Sequence, residues 1–418
     1  MLRLLWLVPV PLDLSGSRDR SGGWLDTLAQ HLLMTGDVEI TAVFPGRGAD
    51  GSPSIGGRAG CVSVGSLKDD GRSYWSRILP PKLQRLLDTY DRRKIVVDDL
   101  LDTTRFDLIH IHGTESCWLR DAADVSCPKV VSIQGLLTDC AAGFWSRLPL
   151  RDRLFSPRLG MRWLDMRLRA KTERRFLPLY RHFFCRTRYS EHFVRRFSPA
   201  ASIYFDGRIL RSPFYSSETW RARSRSGRHI MTTVSEQPYK GVHHLLPIMR
   251  EPSARELTLH IAGVRPSSEY GRILSSLSVR LGVQDRVRFL GNLPADALRL
   301  KLLQMDAYVH PATQENSPNA LAEAMSLGLP CAVSRAGGSS EQIREGISGL
   351  AFDPLNIQEA CGVISMISRD TSLGTRLGTA ALAEARERHH PARVIEQTLS
   401  GYHRILSGDG EVFPCAHS

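Results

Sequence analysis

Several features that would assign this chain to a class at once are missing from its sequence. The eight cysteines are scattered, with no C-x-x-C pair and no histidines at metal-site spacing. The sequence therefore favours a reducing compartment over a disulfide framework or a structural zinc site. No apolar run reaches the roughly 18 residues of a transmembrane helix. The apolar N-terminus is broken by Pro9 and Pro11, so we interpret it as a buried strand rather than a signal peptide.

The length and charge of the chain indicate its domain organisation and where its basic residues are concentrated. A chain of 418 residues with 42% hydrophobic residues is too long for one compact core and predicts two globular domains of about 200 residues each. The net charge of +12 is concentrated in one segment, because residues 147–196 hold 15 Arg or Lys and only 4 Asp or Glu. The rest of the chain is therefore close to neutral.

The basic segment, residues 144–196, also carries aromatic residues between its arginines, among them Trp145, Phe155 and Trp163. Three interpretations compete: a solvated helical face, nucleic-acid binding, and docking on anionic lipid head groups. A recognised nucleic-acid motif is missing, so we expect no nucleic-acid partner. Arginine interleaved with Trp and Phe fits an anionic membrane surface, where each basic residue contributes about 1 kcal/mol. Parts of the segment should form amphipathic helices.

The first half of the chain alternates apolar strands with helical patterns, which predicts a doubly wound domain over residues 1–205. Glycines and polar residues follow several strands at their carboxyl ends, the edge where such sheets bind ligands. Gly22 and Gly23 form one such turn, although the G-x-G-x-x-G spacing is missing there. On strand 106–112, only His112 reaches that edge, so we interpret His110 as structural and His112 as a candidate catalytic residue. The strand at 182–185 is expected to be the last of this domain.

The second half repeats the pattern after a crossing rich in serine, proline and charge, residues 198–228. A second doubly wound domain is predicted over residues 225–390, and its first strand covers residues 229–234. Lys240, at the helix start after that strand, is a candidate for binding a diphosphate, because a compact charge there lies beside free helix N–H groups. A final helix over residues 391–406 closes the chain.

The most informative stretch covers residues 305–354. Glu315 and Glu323 are separated by seven residues, and between them Ser317 is suited to cap a helix whose first turn begins at Pro318. Gly328 is a plausible end of that helix, and a buried strand follows. Residues 337–338 are Gly-Gly and predict a tight turn into a second helix, so that two helix N-termini would follow two successive strands.

This stretch resembles the family-4 retaining glycosyltransferases of GT-B architecture. Their C-terminal domain carries a Glu-x7-Glu motif followed by Ala-Met, a Gly-x-Pro strand entry and a Gly-Gly-x-x-Glu turn. Here the corresponding residues are Glu315 and Glu323, then Ala-Met at 324–325, Gly-Leu-Pro at 328–330 and Gly-Gly-Ser-Ser-Glu at 337–341. The resemblance is strongest over residues 229–355. It implies an α/β fold of two doubly wound Rossmann-like domains that face each other across a cleft, with the final helix packing back on the first domain.

The resemblance also implies roles for individual residues. Glu315 and Lys240 would act on the donor sugar and its diphosphate, and Glu323 would accept hydrogen bonds from the ribose hydroxyls. Neither a metal nor another cofactor is implied, since the nucleoside-diphosphate sugar is itself the donor substrate. The remaining donor-binding positions implied are Asn316, Ser317, Asn319, Gly291, Leu293, Gly22 and Gly23.

Two positions depart from the family pattern. The family usually has an arginine five residues before the lysine, where this chain has Ser235, and Arg265 is a candidate substitute. The family also commonly has a histidine at the position of Gln134, which can form hydrogen bonds with the donor sugar but does not titrate. His112 is the nearest alternative to it.

The expected function is that of a retaining, metal-independent glycosyltransferase of polysaccharide or lipid-linked glycan biosynthesis. We expect the protein in the cytoplasm, bound peripherally to the inner face of the plasma membrane. Two alternatives stay open: another GT-B enzyme such as a sugar-nucleotide epimerase, and a catalytically weak nucleotide-sugar-binding partner, which the departures at Ser235 and Gln134 would fit.

Overall fold

The computed structural model describes residues 1–10, 12–13, 23–44, 59–63, 97–115, 118–223 and 227–408. Two sheets form the frame of this part of the chain, and all the strand pairs in them are parallel. In chain order the strands are β1 (Leu2–Leu7), β2 (Val38–Phe44), β3 (Ala59–Ser63), β4 (Leu108–His112), β5 (Lys129–Ser132), β6 (His182–Cys185), β7 (Ser202–Phe205), β8 (Arg228–Thr233), β9 (Leu257–Ala262), β10 (Val287–Gly291), β11 (Ala307–His310), β12 (Cys331–Ser334) and β13 (Leu350–Phe352).

Helices connect most of these strands. They are α1 (Gly23–Thr35), α2 (residues 97–103), α3 (Trp118–Asp121), α4 (Leu137–Ala142), α5 (Leu150–Leu154), α6 (Pro157–Phe176), α7 (Arg188–Phe197), α8 (Val242–Arg250), α9 (Glu269–Arg280), α10 (Ala295–Leu302), α11 (Asn319–Ser326), α12 (Ile357–Arg369), α13 (Thr371–Arg388) and α14 (Pro391–Ser407). Short 3-10 turns lie between several of them.

The first sheet has the strand order β3-β2-β1-β4-β5-β6-β7. Its inner strand β1 is an apolar run that is buried from Leu4 to Leu7, as expected for a parallel strand covered on both faces. Helices α1 and α14 cover one face, and α2, α3 and α7 cover the other. Because helices cover both faces of this parallel sheet, the sheet is doubly wound.

The second sheet has the order β10-β9-β8-β11-β12-β13. Helices α8, α9 and α12 pack on one face, and α10, α11 and α13 pack on the other. In both sheets the chain reverses its direction of strand addition next to the first strand of the domain, and a crevice forms at such a point beyond the carboxyl ends of the strands.

The strand predictions need one correction and two additions. Strand β7 follows β6 in the first sheet, so the strand at 182–185 is not the last of that domain as predicted. Strands β3 and β13 were not predicted at all. Each of the three is short and lies at a sheet edge, where pairing with one neighbour, rather than a long apolar run, defines the strand.

The last helix, α14, packs on the first sheet although it follows the second domain. Its Tyr402 is fully buried, and the Tyr402 hydroxyl lies 2.6 Å from Nδ1 of His110. Ser132 contacts the other ring nitrogen of His110 at 2.7 Å, so His110 is structural, as predicted. Gly401 permits this packing, because a Cβ there would lie 2.4 Å from the ring of Phe184.

The start of the basic segment packs on the second domain rather than the first. Phe144, Leu148 and Leu159 are buried in the core cluster that surrounds β8 and β9. Glu269, on α9, accepts a hydrogen bond of 2.5 Å from the backbone N–H of Leu159. Helix α6 therefore begins against the second domain, and its last turns lie against the first, where Ala170 packs on α4.

None of the described helices is long and apolar enough to cross a membrane.

Candidate active site

A cavity of about 790 Å³ lies between the two domains. Its second-domain wall consists of the segments that follow β8, β9, β10 and β11, all at the carboxyl edge of that sheet. The first domain contributes the start of α1, and the crossing between the domains contributes residues 208–211. Polar groups from separate segments therefore converge at the crevice where doubly wound sheets bind ligands.

Lys240 and Glu315 form an ion pair on this wall, in which Lys240 Nζ donates to Glu315 Oε2. Burial alone would raise the pKa of Glu315, but the neighbouring charge of Lys240 holds it below its usual value. Gly241 brings the two together, because its φ of +77° and the lack of a Cβ let its turn approach Pro311, whose carbonyl oxygen would lie 2.0 Å from a Cβ there. Glu315 is therefore ionised at neutral pH.

Glu323 forms a second ion pair, with Arg211 of the crossing between the domains. Arg211 donates through two nitrogens to the two carboxylate oxygens, at 2.8 and 3.0 Å. Glu323 is 5% exposed and lies on α11, where it faces the cavity. This side-on geometry orients the carboxylate.

Arg265 and Glu236 form a third ion pair at the exposed rim of the cavity. Two guanidinium nitrogens of Arg265 donate to Glu236 at 2.9 and 3.1 Å. The hydrogen bonds and charge of Arg265 lower the pKa of Glu236. Ser235 borders the cavity beside this pair, so the candidate substitute Arg265 is near the predicted place but is already paired.

The helix between the two glutamates begins one residue later than predicted. Helix α11 begins at Asn319, and Ser317 does not cap it, because the Ser317 hydroxyl accepts a hydrogen bond from Gln342 at 3.3 Å. Ser317 and Asn319 border the cavity. The helix ends as predicted, with Gly328 in the left-handed region at φ +76°.

Asn316 lies behind the cavity wall and ties the domains together. Its side-chain oxygen accepts a hydrogen bond of 2.6 Å from the Thr187 hydroxyl, and its amide nitrogen donates to the backbone oxygens of Ile133 and Gln134 at 3.1 and 3.2 Å. Asn316 is 2% exposed. The structure therefore gives its side chain an interdomain role; donor binding through its backbone stays a prediction.

The predicted second helix start is wrong. After Gly337 and Gly338 the chain forms a single 3-10 turn, Ser339–Gln342, rather than a helix. Both glycines pack against the loop of the motif, since a Cβ on Gly337 would lie 2.3 Å from the Glu315 carbonyl oxygen. The pair thus supports the position of Glu315 instead of opening a second anion site.

Only some of the remaining predicted site residues border the cavity. Gly23 and Leu293 border the cavity, whereas Gly291, Gln134 and His112 are not among the residues that line it. Gly22 lies outside the described residues.

His112 is fully buried and packs on other rings. Its ring stacks on that of His110 at 3.7 Å and lies 4.3 Å from that of Trp6, between centroids. Burial holds the pKa of His112 well below its usual value, so the ring is neutral. A catalytic role for His112 stays a prediction.

Several cavity residues were not predicted, among them Trp24, Arg162, Arg208 and Arg211. Arg162 belongs to the basic helix α6 and donates to the backbone oxygen of Glu236 at 3.1 Å. Arg208 follows β7, one of the strands that were not predicted, so no ligand group was predicted at its carboxyl end. Within the described ranges, no group of three or more His, Cys, Asp or Glu side chains is arranged to hold a metal ion.

Residues 218–383 match the family model of glycosyl transferases group 1. Over 200 residues the chain is 28% identical to D-inositol 3-phosphate glycosyltransferase of Corynebacterium efficiens. The aligned segment covers 45% of this chain and 46% of that protein. The chain spans about half the length of the curated relatives it matches. The segment that matches the family model contains Lys240, Glu315 and Glu323.

Solved structures resemble the whole chain at low identity. Sucrose-phosphate synthase from Thermosynechococcus elongatus has a TM-score of 0.74 at 15% identity, covering 98% of this chain and 100% of that one. HepE of Anabaena, solved in complex with UDP-glucose, has a TM-score of 0.64 at 17% identity, covering 96% and 100%. At such identities the likeness shows the fold. The predicted GT-B fold, two Rossmann-like domains across a cleft, is confirmed.

Proposed function

We propose that the protein is a glycosyltransferase that moves a sugar from a nucleoside-diphosphate sugar to a hydroxyl group of an acceptor. The observation that carries the proposal is the convergence of Lys240, Glu315 and Glu323 on one interdomain cavity, within the segment that matches glycosyl transferases group 1. A lysine supplies charge for a diphosphate, and carboxylates accept hydrogen bonds from sugar hydroxyls. The cavity offers both at the ends of the neighbouring strands β8 and β11.

The donor takes the following place in this proposal. Glu323, already oriented by Arg211, accepts hydrogen bonds from the ribose hydroxyls. The diphosphate lies against Lys240 and the free backbone N–H groups at the start of α11, which favour negative charge. Glu315 faces the transferred sugar, and Leu293 lies beside the base.

We further propose the retaining, metal-independent chemistry of the family-4 branch, on the strength of the Glu-x7-Glu pair. The bond between the anomeric carbon and the phosphate oxygen breaks, the acceptor oxygen bonds to the same face, and its proton passes to the departing phosphate. Lys240 and the N–H groups of α11 meet the charge that develops on the diphosphate. Losing one preorganised contact of this kind costs about 2.7–4 kcal/mol of transition-state stabilisation.

For the acceptor we propose a polysaccharide or a lipid-linked glycan, at the cytoplasmic face of the plasma membrane. The surface that supports this is the α5–α6 face, the exposed apolar residues of α5, α6 and the turn between them: Leu150, Leu154, Phe155, Met161, Leu164 and Leu168. Phe155 is 85% exposed and Leu154 is 72% exposed. Exposed arginines flank them, as on helices that lie in an anionic interface. Because Arg162 of the same helix borders the cavity, a lipid-linked acceptor would reach the donor from this side.

The test is a panel of UDP-, GDP- and ADP-sugars, incubated with the full chain with and without a lipid extract, while nucleoside diphosphate release and product are measured. Transfer that depends on the extract, persists in EDTA and preserves the anomeric configuration by NMR is expected. Lys240→Ala and Glu323→Ala should each lower turnover or donor affinity at least about tenfold. Interconversion of sugars without transfer would instead identify an epimerase, and binding without turnover a nucleotide-sugar-binding protein.

Membrane docking is tested separately, by flotation with vesicles that contain anionic or only zwitterionic lipids. Binding to the anionic vesicles should weaken as salt rises, because the Debye length shrinks to about 3 Å at 1 M salt. Phe155→Ser should weaken it further. Leu300→Ser is the matched control, since Leu300 is a 49% exposed apolar residue of the second domain. Equal binding to both vesicle types would remove the membrane proposal.

A further inference from the structure

Arg208 is a buried cation on the wall of the cavity. Its side chain is only 9% exposed, and its Nη1 donates to the side-chain oxygen of Asn319. Asn319 is the first residue of α11, so the guanidinium lies at a helix N-terminus, where free N–H groups already add positive charge. Its Nε has no hydrogen-bond partner within the described chain. A full and a partial positive charge thus meet at one point of the cavity.

The partners of Arg208 set it apart from the three cations of the ion pairs described above. Lys240, Arg211 and Arg265 each contact a carboxylate that also borders the cavity. The side chain that Arg208 contacts is an uncharged amide. Unlike the charges of Lys240, Arg211 and Arg265, the charge of Arg208 is therefore not balanced by a carboxylate in direct contact.

A second guanidinium, that of Arg186, increases the excess of positive charge. The Cζ atoms of Arg186 and Arg208 lie 4.7 and 5.0 Å from the ring centroid of Trp24. The Arg186 side chain is 3% exposed, and none of its three nitrogens has a hydrogen-bond partner in the described part of the chain. The nearest carboxylate is that of Asp206, 3.6 Å from Arg186 Nε. The carboxylates of Asp206, Glu315 and Glu115 act on Arg208 through their charge. Among the described residues, however, none of these carboxylates forms a hydrogen bond with either guanidinium group.

This arrangement is costly unless an anion completes it. Burial first, and then the charge of Arg186, lower the pKa of Arg208 to about 9, which reflects how unfavourable a second cation is there. A buried charge without a partner costs several kcal/mol, whereas a guanidinium bound side-on to phosphate oxygens forms two strong hydrogen bonds. The wall is thus built for a group with several negatively charged oxygens.

We infer that Arg208, with Arg186 behind it on Trp24, forms a phosphate-binding site on the first domain's side of the cavity that holds the diphosphate of the donor opposite Lys240. The inference rests on the proposed function. It supplies a second cation for the diphosphate, because Ser235 stands at the position of the family's usual arginine and Arg265 is already paired with Glu236. Because Arg208 comes from the crossing and Lys240 from the second domain, the diphosphate would bridge the two sides of the cleft.

The test compares a nucleoside diphosphate with its monophosphate by isothermal titration calorimetry on the full chain. UDP and UMP are used first, then the GDP/GMP and ADP/AMP pairs if another base binds more tightly. Arg208→Gln should weaken diphosphate binding at least about tenfold and monophosphate binding less than about threefold, because the monophosphate lacks the β-phosphate. Arg208→Lys should lie between, since it keeps the charge but not the two-pronged geometry. Arg186→Gln should have a smaller effect in the same direction.

Arg335→Gln is the matched control, because it removes one positive charge from an exposed ion pair with Glu359 outside the cavity. Thermal unfolding without nucleotide separates binding from folding: Arg208→Gln should melt no lower than the wild type, since it removes a buried charge. Equal losses for di- and monophosphate, or none, would overturn the inference while the proposed function stands. A wild-type protein that binds none of the three diphosphates would refute the proposed function and the inference with it.

Discussion

Acid should destabilise this protein strongly, because five of its histidines are buried in the neutral form. They are His110, His112, His243, His310 and His389, each no more than 4% exposed. Burial lowers the pKa of His110 and His389 to about 3, and that of His243 and His310 to about 4. For His112 the pKa lies well below the usual value for the same reason.

The sign and size of the effect follow from proton linkage. A lowered pKa stabilises the fold above the unfolded value of 6.5, and this stability is lost as pH falls towards the folded values. At pH 5.5 an unfolded histidine is mostly protonated while the folded one is not, which removes about 1.4 kcal/mol per residue, or about 7 kcal/mol for five. Burial raises the pKa of Glu115, Glu173 and Asp206, and these carboxyls offset part of the loss. The remainder is large against a typical stability of about 5–15 kcal/mol.

Urea unfolding at pH 7.5 and 5.5 measures the loss, and one substitution isolates a single histidine. Nδ1 of His389 donates to the backbone oxygen of Arg208 at 2.8 Å, and His389→Asn keeps an N–H donor there without a titrating group. The variant should lose about 1.4 kcal/mol less than the wild type between the two pH values, whatever the carboxyls contribute. If both proteins lose the same free energy, His389 is not the neutral buried group described here.

Three further substitutions test other parts of the structure. Glu315→Gln should raise UDP affinity several-fold, because Lys240 loses its competing carboxylate, while sugar transfer falls at least about tenfold; unchanged calorimetric binding would contradict this. Glu173→Gln should lower the free energy of unfolding by about 2–4 kcal/mol, because this buried carboxylate accepts four hydrogen bonds and an amide nitrogen accepts none; a stability within about 0.5 kcal/mol of the wild type would argue against it. Gly241→Ala should cost at least about 1 kcal/mol through its positive φ alone, with more from the clash with Pro311; a wild-type melting curve would show that the turn relaxes freely.

Most of the fold could be predicted from the sequence because its central strands are uninterrupted apolar runs. Strands such as β1 and β12 are buried on both faces, so their residues show no alternation and stand out from the helices between them. Strand β7 does not stand out in this way. It is four residues long, lies at the sheet edge beside β6, and sits among the serines and prolines that predict a crossing.

The candidate site could be predicted only where its residues are close in the sequence. The spacing of Glu315 and Glu323 places both on one loop and helix, and Lys240 follows a strand that can be identified. Arg211 and Arg208 are more than 100 residues from the side chains they contact, and they reach the cavity because of how the domains pack. Patterns of neighbouring residues contain no information about how the domains pack. From the sequence, charged residues in a crossing are therefore predicted to be exposed to solvent.

The Glu323–Arg211 and Lys240–Glu315 ion pairs are expected to respond differently when a nucleotide-sugar donor binds. A carboxylate oxygen has two lone pairs, so Glu323 can accept ribose hydroxyls while it keeps both bonds to Arg211. Lys240 has one compact charge, and a diphosphate that approaches it meets the Glu315 carboxylate already in contact. Under the proposed function, donor binding would therefore preserve the Glu323–Arg211 pair and loosen the Lys240–Glu315 pair, so that Glu315 could accept a hydrogen bond from the transferred sugar. In the proposed function this exchange couples binding of the diphosphate to orientation of the sugar, and it gives the two glutamates separate roles.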